Sequence, residues 1–181
     1  MSRLVDKVCV ITGAAGGIGA ATADRFEREG AIVVGVDLLE HSVGSLSISA
    51  DVTSEDAVVS MYAAARERFG RIDVLFNNAG INDPEDGSAL EMSLETWSRV
   101  QVANLTSVFL CCKHGIPRLL ANQPPGGSVI NMATFLAVMS ALAGARPRNV
   151  ASALWARVTL GRSVVPVASA APMAAANTVF R

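Results

Sequence analysis

A glycine-rich stretch in this sequence has residue types suited to holding a phosphate group. It begins where the apolar run Lys7–Thr12 ends, and it leads into the amphipathic segment Ile18–Glu29. Glycines let the backbone approach a phosphate closely, and a helix N-terminus adds unpaired N–H groups and a partial positive charge. A turn that only packs the helix onto the strand is the alternative. The residues expected to bind a dinucleotide pyrophosphate are Gly13, Gly17, Ile18 and Gly19.

A carboxylate follows the second apolar run and indicates which dinucleotide would bind. Asp37 comes directly after Ala31–Val36, where a carboxylate can accept hydrogen bonds from both ribose hydroxyls and repels a 2′-phosphate. The expected cofactor is therefore NAD, preferred over NADP. Two alternatives stay open. Asp37 is solvated or caps a turn, or else Arg25 or Arg28 of the preceding segment folds close enough to accept a phosphate.

The elements that must position these residues alternate between short apolar strands and amphipathic helices. This alternation predicts an α/β fold, a Rossmann-type doubly wound parallel sheet with ligands at the carboxyl ends of its strands. After the second strand we predict strands at Leu46–Ala50, Ile72–Phe76 and Ser128–Met132, and helices at Ser54–Phe69, with Ser54 as N-cap, and from Ser93 to about Leu120.

Composition narrows the class of protein further. The 181 residues are 51% hydrophobic with a formal charge of −1, which fits one globular domain and gives no sign of a nucleic-acid partner. Cys9, Cys111 and Cys112 lie in apolar runs without metal-ligand spacing. No signal peptide or membrane-spanning stretch is predicted. We expect a cytoplasmic protein that binds no metal, nucleic acid or membrane.

Two motifs at strand ends give the chain a family resemblance. The pattern TGxxxGIG at Thr12–Gly19, with NNAG at Asn77–Gly80, resembles the short-chain dehydrogenase/reductase family, and the similarity continues through Asp51–Thr53, Val102–Lys113 and Gly126–Thr134. The resemblance implies an oxidoreductase that transfers hydride between NAD(H) and a small-molecule secondary alcohol or ketone. It carries no oligomeric state over to this chain.

The resemblance also implies roles for residues outside the glycine-rich stretch. The Asp51 carboxylate would accept from the adenine amino group while Val52 covers the ring, although Asp51 could equally begin the turn before Ser54. Small residues would let the backbone pass close to the cofactor's sugar. The residues implied at that place are Asn78, Ala79 and Gly80.

Two further positions match the family's catalytic region. Asn104 matches the asparagine whose backbone carbonyl holds a water of the proton relay; its alternative is a solvent-facing helix residue. Thr134 stands where the family usually has the serine that hydrogen-bonds the substrate, and its alternative is an ordinary strand-end threonine.

The family's Tyr-x-x-x-Lys pair is missing. Pro147 and Ala151 occupy the expected positions, the only tyrosine is Tyr62, and no lysine follows Lys113. The pair supplies the general acid/base and the lysine that lowers its pKa. We therefore expect impaired catalysis, with a non-catalytic nucleotide-binding remnant or an interaction module as alternative functions.

The chain changes character in its last part. Asp and Glu are absent from Thr96 to Arg181, and the family pattern stops near residue 138. We divide the chain into a dinucleotide-binding half, 1–138, and an atypical tail, 139–181, partly disordered, with one helix at Asn149–Leu160 and a short strand at Ser163–Ala168. The sheet is then incomplete on its C-terminal side. An altered reading frame and natural divergence would each explain such a tail.

Overall fold

The computed structural model describes residues 2–83, 90–134 and 153–160, and within these ranges the chain forms a six-stranded sheet. Its strands are β1 (Val8–Thr12), β2 (Ile32–Asp37), β3 (Leu46–Ser49), β4 (Val74–Asn77), β5 (Gly127–Thr134) and β6 (Ala153–Leu160). Their order is β3-β2-β1-β4-β5-β6, and β1 to β5 run parallel. The chain moves outward from β1 to β3 and then crosses back to β4. The crevice of the sheet therefore lies beyond the carboxyl ends of β1 and β4.

Helices connect the parallel strands on both faces of the sheet. Helix α1 (Gly17–Arg28) links β1 to β2, and α2 (Glu55–Phe69) links β3 to β4. The connection from β4 to β5 includes α3 (Leu94–Gln101), a π-helical segment (Val102–Thr106) and α4 (Ser107–Leu120). The predicted Rossmann-type doubly wound parallel sheet is confirmed.

Alternation along the strands divides the core into two layers. Ala23 and Phe26 of α1 pack with Cys9 on one face, whereas Tyr62 of α2 and Leu110 of α4 pack with the buried residues of the other face. Successive residues of a strand point to opposite faces, which explains why β1 is buried along its whole length. Burial raises the pKa of the Cys111 thiol to about 12 and raises that of Cys9 as well. Both thiols are core side chains that remain protonated near neutral pH.

Helix α2 begins and ends where the sequence predicts. Ser54 is its N-cap, and the Ser54 hydroxyl accepts a hydrogen bond from the backbone N of Ala57 at 3.4 Å. Gly70 ends the helix with a φ of 75°, a left-handed conformation that glycine adopts without strain. No helix in the described part of the chain is long and apolar enough to cross a membrane.

The predicted helix at Asn149–Leu160 is wrong where the structure describes it. Ala153–Leu160 is the strand β6, antiparallel to β5, with Leu160 opposite Gly127 and Ala153 opposite Thr134. Two physical reasons favour a strand. The segment contains Trp155, Val158 and Thr159, residue types that favour strands. Its backbone also pairs with an edge of β5 that would otherwise lack partners. The predicted disorder and the strand at Ser163–Ala168 fall outside the described residues.

Candidate functional site

The glycine-rich stretch forms a tight turn between β1 and α1. Gly13 and Gly17 have φ values of +68° and +53°, in the left-handed region where glycine is favoured. A Cβ at Gly19 would collide with the carbonyl oxygen of Gly13. Glycine at position 19 therefore sets how closely α1 approaches the end of β1.

Part of the same turn opens onto free space. A Cβ at Gly16 or Gly17 would meet nothing within 4 Å, and Ile18 is half exposed beside them. Gly16 is the N-cap of α1, and no side chain caps the helix there. A pyrophosphate fits this cradle, because the first-turn N–H groups can donate to its oxygens and no side chain occupies the space.

Asp37 is the last residue of β2 rather than the first residue after it. Its Oδ2 accepts from the backbone N of Ala15 at 2.9 Å, and its Oδ1 accepts from the backbone N of Leu39 at 3.1 Å. The capping alternative is therefore observed. The same two bonds fix the carboxylate beside the glycine-rich turn, and each oxygen keeps a lone pair that a ribose hydroxyl could use.

The two arginines of α1 are engaged along their own helix. Arg25 pairs with Glu29 at 2.5 Å, and Arg28 pairs with Asp24 at 2.9 Å. Both are i, i+4 ion pairs on the helix surface. The structure thus gives no support to the alternative in which these arginines turn toward Asp37.

Asp51 begins the turn between β3 and α2. Its Oδ1 accepts from the backbone N of Thr53 at 2.9 Å and from the Thr53 hydroxyl at 2.7 Å, and the Asp51 carbonyl accepts from the backbone N of Ser54 at 3.0 Å. Val52, next in the chain, is buried in the core. The Asp51 side chain is exposed, and within the described residues its Oδ2 makes no hydrogen bond. The turn-forming alternative is observed, and one carboxylate oxygen remains available.

A buried threonine joins the glycine-rich turn to the NNAG segment. The Thr12 hydroxyl accepts from the backbone N atoms of Asn78 and Ala79, both at 3.0 Å. The Asn78 amide donates in turn to the carbonyls of Thr12 and Gly13, at 3.0 and 3.3 Å. Sequence reasoning did not assign Thr12 a role. The sequence did contain a signal for this role, because Thr12 is a hydroxyl residue at the end of β1 and β1 pairs with β4, the strand that leads into NNAG.

A second residue that sequence reasoning missed joins β4 to β5. Asn77 and Asn131 are opposite each other in the register, and the Asn77 Nδ2 donates to the Asn131 Oδ1 at 2.8 Å. Asn77 is almost completely buried. This pair fixes the carboxyl end of β5 relative to β4, and so the place where Thr134 follows.

Asn104 lies in the π-helical segment rather than in a regular α-helix. Its Oδ1 accepts from the backbone N of Ile81 at 2.7 Å, and its Nδ2 donates to the Ile81 carbonyl at 3.0 Å. A Cβ at Gly80 would lie 2.9 Å from the same Oδ1. The alternative of a solvent-facing residue is therefore wrong, because the side chain clamps the chain that leaves the NNAG segment. π-Helical turns in long helices are frequent at functional sites.

The structure describes only part of the predicted catalytic region. Thr134 is the last residue of β5 and pairs in register with Ala153. Pro147 and Ala151 fall outside the described residues. Tyr62 is buried and donates its hydroxyl to the Cys111 carbonyl at 3.1 Å, and burial raises its pKa well above the usual value. This tyrosine belongs to the core. Within residues 2–83, 90–134 and 153–160, no group of three or more His, Cys, Asp or Glu is arranged to hold a metal ion.

Comparison with protein families and curated relatives gives the following matches. A family model described as enoyl-(acyl carrier protein) reductase matches residues 13–153. An uncharacterized oxidoreductase of Bacillus subtilis is 40% identical over 143 residues, covering 72% of this chain and 51% of the relative. The meso-2,3-butanediol dehydrogenase of Serratia marcescens is 38% identical over 142 residues, covering 73% and 55%. The chain spans about half the length of the curated relatives it matches.

Solved structures give a similar result. The 3-ketoacyl-(acyl-carrier-protein) reductase from Brucella melitensis, complexed with NADH, superimposes with a TM-score of 0.63 at 34% sequence identity. The match covers 67% of this chain and 54% of that one.

Proposed function

Because the chain belongs to the short-chain dehydrogenase/reductase family of oxidoreductases, we propose that it binds NAD in preference to NADP and catalyses the family's hydride transfer poorly. The substrate side of that reaction is a small-molecule secondary alcohol or ketone. The observation that carries the proposal is the position of Asp37, hydrogen-bonded to Ala15 within the glycine-rich turn.

The cofactor contacts follow from the carboxyl ends of the strands. The pyrophosphate lies at Gly13, Gly17, Ile18 and Gly19, where the open cradle at Gly16 accommodates it. Asp37 accepts from the ribose hydroxyls. The free oxygen of Asp51 would accept from the adenine amino group, and Val52, which is 9% exposed, would border the ring through the exposed part of its side chain. The segment Asn78–Ala79–Gly80, held by Thr12 and Asn104, borders the sugar next to the nicotinamide.

The preference for NAD is electrostatic. A 2′-phosphate next to the Asp37 carboxylate would bring like charges together, and the arginines that could compensate for it are paired with Glu29 and Asp24. The two ribose hydroxyls of NAD, in contrast, supply the donors that a carboxylate accepts.

The poor turnover follows from the residues that remain to move a proton. When bound, the nicotinamide supplies the hydride chemistry. Alcohol oxidation also requires a base for the hydroxyl proton, and the Tyr-x-x-x-Lys pair that would serve is absent from the sequence. Thr134 can hydrogen-bond a substrate oxygen, and Asn104 can hold a water, but a threonine hydroxyl is a weak acid and a weak base. Loss of general acid/base catalysis costs roughly 10²- to 10⁴-fold in rate.

Calorimetry on Asp37→Ala tests the cofactor assignment. We expect NAD affinity to fall about tenfold, which corresponds to about 1.4 kcal/mol, and the discrimination against NADP to disappear. Glu67→Ala removes an equal charge from the exposed surface of α2, away from Arg25 and Arg28, and serves as the matched control. Unchanged NAD affinity in Asp37→Ala would refute the role of this carboxylate.

Turnover tests the second part of the proposal. The full chain is incubated with NAD and a panel of secondary alcohols, and NADH formation is followed by absorbance. We expect binding with little or no NADH formation. Rapid NADH formation would show that another residue supplies the acid/base, and the proposed impairment would be wrong.

A further inference from the structure

A cavity of about 280 Å³, here called the edge cavity, opens at the edge of the sheet opposite the glycine-rich turn. It lies where α2 and α4 end, next to the residues that lead into β4 and β5. Its walls are formed by Arg66, Gly70, Arg71, Ala121, Asn122 and Gln123. None of the cofactor contacts proposed above lies at this edge.

The walls of the edge cavity carry two guanidinium groups and no carboxylate. Arg71 donates through Nε and Nη2 to the carboxylate of Asp73, at 2.9 and 2.6 Å. Asp73 is buried and also accepts from Lys7 Nζ at 3.4 Å and from the backbone N of Val8 at 3.1 Å. The single negative charge of Asp73 is shared by two cations, Arg71 and Lys7, so Arg71 is not fully neutralised and the edge cavity keeps positive charge.

Arg66 adds donors to the same cavity. Its Nη1 donates to the carbonyl of Arg118 at 3.3 Å, near the end of α4. Its Nε and Nη2, like the Nη1 of Arg71, make no hydrogen bond to the described residues. Guanidinium N–H groups of this kind bind the oxygens of phosphates and carboxylates.

Asn122 contributes an acceptor. It is only 3% exposed, and its Nδ2 donates to the carbonyls of Ile72 and Gly126 at 2.6 and 3.1 Å. These two bonds determine which end of the amide is the oxygen. The buried Oδ1 accepts no hydrogen bond from any described residue. A buried polar atom without a partner is costly, so a ligand with a suitably placed donor would be favoured.

We propose that the edge cavity binds hydrogen phosphate, free or as part of a small phosphorylated molecule. Unprotonated oxygens of the ligand accept from Arg66 and Arg71, and a ligand hydroxyl donates to the Asn122 Oδ1. At neutral pH, sulfate and simple carboxylates have hydrogen-bond acceptors but no donor. They therefore leave the Asn122 oxygen unpaired. The combination of two cations and one orphaned acceptor selects an oxyanion that carries its own hydroxyl.

Calorimetric titration of the full chain with inorganic phosphate, glycerol 3-phosphate and sulfate tests this proposal. We expect inorganic phosphate or the ester to bind at least about tenfold tighter than sulfate. The tighter of the two identifies the source of the phosphate group. Sulfate binding as tightly as both would indicate an adventitious ion only and overturn the proposal.

Two variants test whether phosphate binds in the edge cavity. Arg66→Gln should weaken phosphate binding about tenfold, whereas Arg68→Gln, whose guanidinium stacks on Phe69 and does not line the cavity, should leave it unchanged. Equal effects of both variants would contradict the proposal. The phosphate–sulfate comparison needs no variant, so it stays decisive if Arg66→Gln does not fold.

The glycine-rich turn is another place where phosphate could bind. Gly16→Val fills the open part of that turn and is titrated in parallel. Retained phosphate affinity in Gly16→Val supports the edge cavity. Lost affinity assigns the ion to the turn and overturns the proposal.

Discussion

The carboxyl edge of β1, β2 and β4 and the chain that follows β5 differ in which of the family's functional residues the sequence keeps. At the carboxyl edge, Thr12 and Asn78 each make two or more hydrogen bonds that join the glycine-rich turn to the NNAG segment, and Asp37 accepts one from Ala15 of that turn. After β5, Pro147 and Ala151 replace the pair that would move a proton. The proposed cofactor contacts and the missing proton-transfer pair therefore belong to different parts of the chain.

The largest expected effect comes from a side chain at Gly19. Gly19→Val forces a clash with the carbonyl oxygen of Gly13, so α1 must move away from β1. Overpacking of this kind costs about 1–3 kcal/mol or more, and we expect NAD affinity to fall roughly 100-fold with a lower thermal midpoint.

Gly16→Val is the matched control for that experiment. Its φ of −160° suits any residue, and its side chain enters open space. We expect weaker NAD binding with an unchanged thermal midpoint. If Gly19→Val binds NAD as tightly as the wild type, the glycine-rich turn does not bind the cofactor as proposed.

Thr12→Val should have the next largest effect. It leaves the partly buried backbone N–H groups of Asn78 and Ala79 without an acceptor, at about 1 kcal/mol each. Urea unfolding should show a loss of roughly 2 kcal/mol, and Thr12→Ser, which keeps the hydroxyl, should restore most of it. Equal stability of the Val and Ser variants would show that the hydroxyl does not join these loops.

Thr134→Val probes the other region. The chain lacks the acid/base pair with which this hydroxyl would cooperate, so we expect residual turnover to fall less than about tenfold, far below the range for a working general acid/base. NAD affinity should not change. A loss of turnover of more than about 100-fold would show that Thr134 works in an intact proton relay, and catalysis would then not be impaired as proposed.

The smallest effect concerns Glu55 in the first turn of α2. Hydrogen bonds from Lys113 and His114 of α4, at 2.7 and 2.6 Å, lower the pKa of its carboxyl group. Because the folded pKa is depressed, the stabilisation is present above the unfolded value of about 4.3 and is lost as the pH falls through the folded pKa. Glu55→Gln should therefore be slightly less stable than wild type at pH ~7, and equal to it well below that pKa.

Urea unfolding at the two pH values measures this difference. Asp56→Asn, which also removes a carboxylate from the first turn of α2, is the control for the helix dipole. A difference that persists at low pH would contradict the ion-pair explanation.

Most of the carboxyl edge of β1, β2 and β4 can be predicted from the sequence, because the patterns that mark the ends of these strands lie within short segments. Apolar runs that end in glycine, aspartate or asparagine predict where strands stop, and β1 to β5 all lie within a few residues of the predicted bounds. Asp37 shows the limit of this approach, since it lies inside β2, paired with Ser49 of β3. Strand ends depend on pairing with neighbours that a single segment does not reveal.

Other features depend on contacts between distant segments. The Thr12 hydroxyl bonds to residues more than sixty positions away, and the clamp between Asn104 and Ile81 requires the π-helical segment. The helix predicted at Asn149–Leu160 fails for the same reason. An alanine-containing segment with apolar residues at helical spacing becomes a strand when β5 offers an unpaired edge.

The preference for NAD is tested most directly by a calorimetric titration of the wild-type chain with NAD and with NADP at the same ionic strength. Asp37 beside the glycine-rich turn predicts NAD binding at least about tenfold tighter than NADP binding. Equal or tighter binding of NADP, or no binding of either dinucleotide, would contradict the role proposed for Asp37 and the glycine-rich turn.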